Sequence, residues 1–213
     1  AVRFPPGRFR IERPLRLRGG PGVHLPALLG TPWGRTEIRV RGPLGLEIQG
    51  AGREWESPAH RLLVRDLRFV CEEGGGGARG ARIDRAYLVV LERCAFLRFD
   101  GPCQVEVANV FSLRLTEVEI AHGGQPDAAE HTDGLLIGGE ATETRPWNAS
   151  NVRLDGCVVQ RNRGWGVRVD QRGNALDTLH VRDSTIGHNG GGGIRVTGQV
   201  LGASFRANHF ENP

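Results

Sequence analysis

The sequence predicts an all-β chain wound as a parallel β-helix, and three observations predict it. Six segments repeat one apolar spacing, a shorter alternating pair recurs between them, and no stretch holds an i, i+3, i+4 apolar pattern for two helical turns. The spacing is apolar, any, apolar, any, any, apolar or small, any, apolar. It occupies Leu62/Val64/Leu67/Phe69, Val89/Leu91/Cys94/Phe96, Leu113/Leu115/Val118/Ile120, Val152/Leu154/Cys157/Val159, Leu179/Val181/Ser184/Ile186 and Ala203/Phe205/Asn208/Phe210. Successive starts lie 27, 24, 39, 27 and 24 residues apart.

Alternation with period two means short strands with one buried face. The two-residue break reverses the parity of the pattern and reads as a bend between two strands. The recurring pairs Ala81/Ile83, Val105/Val107, Leu135/Ile137, Val167/Val169 and Ile194/Val196 supply a third strand after a glycine-rich turn. Such a unit cannot bury its apolar face alone, and stacking on its neighbours solves this. The expectation is roughly seven to eight coils of three short strands, ~4.8 Å apart.

Along the chain, residues 1–50 carry shorter pairs (Leu15/Leu17, Val23/Leu25, Ile38/Val40, Leu46/Ile48) and form the first coils. Residues 51–59 read as a polar loop, and 60–213 as regular coils with insertions near 123–133 and 138–148. All 213 residues make one domain, and the last repeat is incomplete, so more protein or a covering partner is expected. Leucine-rich, ankyrin and tetratricopeptide repeats need helices. A β-sandwich would not hold one spacing in phase through six units.

The register places Cys94, Val118, Cys157 and Ser184 in one inward column, where cysteine acts as a small hydrophobe. Asn162 and Asn189 share a turn position and read as a structural stack. No Cys/His spacing suggests zinc, and no run of ~18 apolar residues could make a membrane-spanning helix. All 28 basic residues are arginine, and a net charge of +4 is too small to argue for nucleic acid.

At this point the chain resembles the right-handed parallel β-helix superfamily of pectate lyases, polygalacturonases and phage tailspikes. The run PPGRFRIERPLRLRGGPGVHL (5–25) is similar to the opening of the tailspike-like "pectate lyase 3" proteins, and ANHFEN (207–212) to a motif of their coils. The resemblance implies the fold, and a protein that binds or acts on polysaccharide at a virion surface or otherwise outside the cell. It also implies a homo-oligomer, a trimer, or an assembly partner. His131-Thr132-Asp133-Gly134 resembles the first catalytic block of polygalacturonases, and Gly187-His188-Asn189-Gly190 loosely resembles the third. Their Asp-Asp pair is missing, as is the lyase pattern Arg-x-Pro-x-x-Arg. No cofactor is expected, with calcium reserved for the case of a lyase.

Asp127, Glu130, His131 and Asp133 fall within seven residues of the first insertion. Glycoside cleavage uses two carboxyl groups about 5–9.5 Å apart. Asp133 with Asp155 or Glu130 is the candidate pair, with Asp127 and His131 beside it and Glu119 pointing outward just before. The bland reading is a solvated loop in which Asp133-Gly134 makes a turn. Arg168 over Arg195, and Arg114 over Arg153, are outward columns of like charge that would hold an acidic sugar. The bland reading of these is pairing with Glu106 and nearby acids. Trp147 is the leading candidate sugar platform, with Trp33 and Trp55 as further candidates, Trp165 read as either platform or corner, and His180 and His209 as plain surface residues. The leading function is polysaccharide recognition, extending to glycan depolymerisation. The rival is a non-enzymatic spike, fibre or adhesin segment that uses the coil as a rigid shaft.

Overall fold

A computed structural model describes residues 1–20, 25–32, 34–50, 62–72, 77–124, 131–140, 149–172 and 175–211. Among these residues every regular element is a β-strand, and no helix is long and apolar enough to cross a membrane. All strand pairs are parallel, and each strand pairs with those one coil before and after it. The chain is a parallel β-helix with three faces. Leu62–Arg65, Asn151–Asp155, Leu176–Arg182 and Val200–Arg206 belong to the first face; Arg68–Cys71, Val158–Gln160 and His209–Glu211 to the second; Asp133–Glu140, Trp165–Arg172 and Gly192–Thr197 to the third. The long strands Arg79–Glu92 and Cys103–Thr116 each carry a third face and the next first face, turning at Arg85 (φ 54°) and Asn109 (φ 53°). The winding makes about six turns, slightly fewer than expected. Before Leu62 the first-face strands Val2–Arg3 and Leu28–Leu29 hold two residues each.

The parity break has a backbone cause. Asp66, Arg93, Glu117, Gly156, Asp183 and Ala207 stand between the first and second faces, all with φ between 50° and 62°. A left-handed residue turns the strand and restores the inward direction one position later. That conformation costs an L-residue about 1–2 kcal/mol. Hydrogen bonds to the next coil offset it: the N–H groups of Arg93, Glu117, Gly156 and Asp183 donate to the carbonyls of Thr116, Asp155, Arg182 and Arg206 at 2.9–3.1 Å.

Each interior column runs the length of the coil. On the second face Phe9, Ile38, Phe69, Phe96, Ile120, Val159, Ile186 and Phe210 are stacked in register, and the Phe69 and Phe96 rings lie 5.3 Å apart and nearly parallel. Cys94, Val118, Cys157 and Ser184 line the common interior, each at most 2% exposed. Burial pushes the Cys94 thiol up to about 12, so it stays protonated and inert. Cys103 is buried too, which the repeat did not indicate.

Asn162 and Asn189 are buried and bonded to each other, Asn162 Nδ2 donating to Asn189 Oδ1 at 2.9 Å. Gln104 extends this ladder by one coil, donating from Nε2 to Asn162 Oδ1. Two loop boundaries are corrected. The strand Asp133–Glu140 takes in the end of the first expected insertion and the start of the second, because Leu135 and Ile137 pair with Val105, Val107, Val167 and Val169 on both sides. The loop 51–59 and most of the second insertion lie outside the described residues.

Candidate functional site

Outward charges alternate in the N-terminal half of the third face. Arg16, Glu47, Arg82 and Glu106 occupy one column, with Arg16 Nε 2.8 Å from Glu47 and Arg79 Nε 3.3 Å from Glu106. Opposite charges on neighbouring strands stabilise a sheet, and like charges do the reverse. Farther along the coil two columns break this alternation.

The first is Arg168 over Arg195 on the third face, in the expected register. Both guanidinium groups have internal partners. Arg168 Nη1 stands 3.0 Å from Asp133 Oδ2, and Arg195 lies over the Trp165 ring, 5.6 Å from its centroid. Asp133 is therefore no loop carboxylate: it opens a strand and is 1% exposed. Its Oδ1 accepts the Trp165 backbone N–H at 2.7 Å. A Cβ at Gly164 would fall 2.2 Å from that oxygen, so glycine is required there. His131 is exposed, its Nδ1 3.3 Å from the Arg163 carbonyl.

Burial raises the Asp133 carboxyl above its ordinary range; the Trp165 N–H, Arg168, His131 and Arg195 pull it down without cancelling this. Folding thus favours the protonated form. That contribution is fully present below the unfolded value near ~3.9 and is lost as pH rises through the folded one. Asp133→Asn cannot titrate. In urea unfolding at a series of pH values, the difference wild type minus Asp133→Asn is expected to move against the wild type as pH rises. A difference moving the other way would show that the ion pair with Arg168 outweighs burial.

The second column is on the first face. Arg114, Arg153, His180 and Ser204 stack directly, and two residues along the same strands Thr116, Asp155, Arg182 and Arg206 form a parallel column. The rungs are ~4.8 Å apart. Arg114, Arg153, Asp155, His180, Arg182 and Arg206, with Val181 and Ser204, line an open cleft of about 440 Å3. Asp155 Oδ1 is held by Arg182 Nε at 3.0 Å. Arg114, Arg153 and Arg206 are exposed and have no acidic partner among the described residues. The cleft is therefore a row of guanidinium groups whose mutual repulsion a bound anion would relieve.

The residues singled out in the sequence thus separate into two clusters. Asp133, Arg168 and Arg195 meet on the third face, and Arg114, Arg153 and Asp155 on the first. Asp133 and Asp155 are not brought together: Asp133 opens a third-face strand, Asp155 closes a first-face strand, and the second face with both its corners lies between them. Asp127, Glu130 and Trp147 lie outside the described residues, as do Trp33 and Trp55. Glu119 points outward on the second face between Ala95 and Val158. His180 is no plain surface residue, since it stands one rung from Arg153 in the cleft. Its signal was its place 27 residues after Arg153, the repeat length itself. Among the described residues no three His, Cys, Asp or Glu side chains converge as a metal site.

No protein-family model matches the sequence, and no curated protein matches it either. Among solved structures the chain is similar to ORF18 of Geobacillus virus E2, with a TM-score of 0.68 at 10% identity over 99% of this chain and 41% of that one. It is also similar to the A-module of mannuronan C-5 epimerase AlgE4 from Azotobacter vinelandii, with a TM-score of 0.46 at 16% identity over 97% of this chain and 67% of that one. The viral likeness is one of fold, and this chain spans 41% of that protein's length.

Proposed function

We propose that this protein binds an acidic polysaccharide at a virion surface or otherwise outside the cell, in the cleft on its first face. One observation carries the reading: Arg114 and Arg153 stand on adjacent rungs without an acidic partner among the described residues, with His180, Arg182 and Arg206 around them. Arginine grips a carboxylate at two points. The rung spacing is close to the length of one sugar unit, so successive uronates of a chain lying along the coil meet successive guanidinium groups. Ser204 and Asp155 are within the same cleft to bond sugar hydroxyls. Among the described residues no Phe, Tyr or Trp side chain lines it, which weighs against single-stranded nucleic acid, whose bases stack on such rings. The viral protein of like fold agrees with a virion setting.

Recognition is favoured over hydrolysis. Glycoside cleavage uses two carboxyl groups, and the cleft lining holds one, Asp155, already paired with Arg182. The test is a glycan array with acidic and neutral polysaccharides, followed by a screen of every hit for new reducing or unsaturated ends. Binding confined to acidic glycans without turnover is expected. Retention of neutral glycans only, or of none, would overturn the reading, and turnover would restore the depolymerase.

A further inference from the structure

One residue of the first-face cleft runs against its charge. Among the described residues that line it, Asp155 is the single acid, set amid Arg114, Arg153, Arg182 and Arg206. It lies between Thr116 and Arg182 on the neighbouring strands, and two residues along its own strand from Arg153. Outward side chains two apart on a strand are ~6.6 Å from each other. The rung is therefore cationic on one side, at Arg153, and anionic on the other, at Asp155. One rung earlier the same two places hold Arg114 and Thr116. Stability does not account for the acid. Its partner Arg182 is 58% exposed, and an exposed ion pair of this kind stabilises a fold little. Asp155 Oδ1 accepts from Arg182 Nε at 3.0 Å, while its Oδ2 has no partner among the described residues.

Resting on the reading that this cleft binds an acidic polysaccharide, we infer that Asp155 selects which one. It admits polymers whose only anionic groups are carboxylates and rejects sulfated ones. A uronate unit linked through its 1- and 4-positions carries its carboxylate on one long edge and two hydroxyl groups on the other. With the carboxylate edge on Arg114 and Arg153, the hydroxyl edge falls on Thr116 and Asp155. There a hydroxyl donates to Asp155 Oδ2, a charge-assisted bond. A sulfate ester at that hydroxyl removes the donor and sets an anion against the Asp155 carboxylate. Like charges brought together in an interface suppress the wrong partner, so the same side chain attracts one polymer and repels the other.

The competing role for Asp155 is to hold Arg182 and lower the charge of the face, with no part in selection. Asp183 separates the two. It also pairs with Arg182, at 3.3 Å, but stands at the left-handed corner after the strand and does not line the cleft. Replacing either acid by its amide removes the same charge beside the same arginine. Only at Asp155 does it change what the far edge of a sugar meets.

Isothermal titration with polygalacturonate and alginate, each as such and after chemical O-sulfation, tests this. A basic cleft acting by charge alone favours the sulfated polymer, which carries more of it. Wild type is instead expected to bind the sulfated polymer at least tenfold more weakly than its unsulfated parent. Asp155→Asn removes the repulsion and the strong acceptor together. It is expected to shift the preference at least tenfold toward the sulfated form, binding that form more tightly and the parent less tightly, with an unchanged far-ultraviolet spectrum. Asp183→Asn is expected to keep the wild-type preference. Three results would each overturn the selection and leave the acidic-polysaccharide reading standing: wild type binding the sulfated form as tightly as the parent, no shift in Asp155→Asn, or an equal shift in Asp183→Asn. Failure of wild type to bind either parent polymer would overturn both.

Discussion

Replacing Arg114 and Arg153 together by glutamate is expected to lower affinity for an acidic polysaccharide by about 100-fold or more, with folding intact. A hydrogen bond to a charged group contributes about 1.5–3 kcal/mol, and every 1.4 kcal/mol is tenfold in affinity. Two such contacts at the low end of that range, fitting for exposed side chains, already give about 100-fold. The reversed charges then repel the ligand. Stability should change by no more than ~0.5 kcal/mol, because both side chains are exposed and neither has an acidic partner to lose among the described residues. Arg18→Glu, on the third face, reverses one charge elsewhere, where the double variant reverses two, and should leave affinity nearly unchanged. Isothermal titration of the three proteins separates a local cleft from a general attraction of a basic surface. An equal loss in Arg18→Glu would mean the latter.

The largest expected loss of stability comes from the buried amide ladder. Asn162 accepts from Gln104 Nε2 and from the Gly123 N–H, and donates to Asn189 Oδ1 and the Ile120 carbonyl. Asn162→Leu removes all four bonds made by this side chain. Asn189 Oδ1 still accepts the residue 162 backbone N–H, at 3.1 Å, but the Gln104 amide, Gly123 N–H and Ile120 carbonyl lose a partner in a dry interior. Each unsatisfied buried group costs about 1–3 kcal/mol. A loss of about 4 kcal/mol in urea unfolding, with an unchanged slope, is the expected result. A loss below ~1 kcal/mol would show that water reaches this corner and that apolar stacking alone holds the coils.

The two substitutions sit on parts of the molecule that were unequally legible. The ladder residues announced themselves: Asn162 and Asn189 are 27 residues apart at one turn position, and a stack of coils turns equal spacing into contact. The inward cysteines and the bends were legible for the same reason, since a left-handed corner leaves a parity break that sequence alone displays.

Chemistry was harder to place because it depends on which outward side chains reach one another across rungs. Arg168 over Arg195 was in the sequence, but not that Asp133 would sit under Arg168. The 39-residue repeat containing Asp133 breaks the phase, so its strand began unseen and the residue read as part of a loop. The Trp165 ring beneath Arg195 was hidden by a corner whose direction periodicity does not encode. On the first face, by contrast, Arg114, Arg153 and Asp155 share uninterrupted strands. The same register that stacked the two arginines also put His180, Arg182 and Arg206 beside them.

The most direct test of the central claim compares one polysaccharide in two forms, its uronates intact and its carboxyl groups reduced to alcohols, titrated into the wild-type protein. The arginine rungs require the carboxylated polymer to bind, with an affinity that weakens as salt is added, and the reduced polymer to show no measurable heat. Equal binding of the two forms would mean that these guanidinium groups are not what holds the chain.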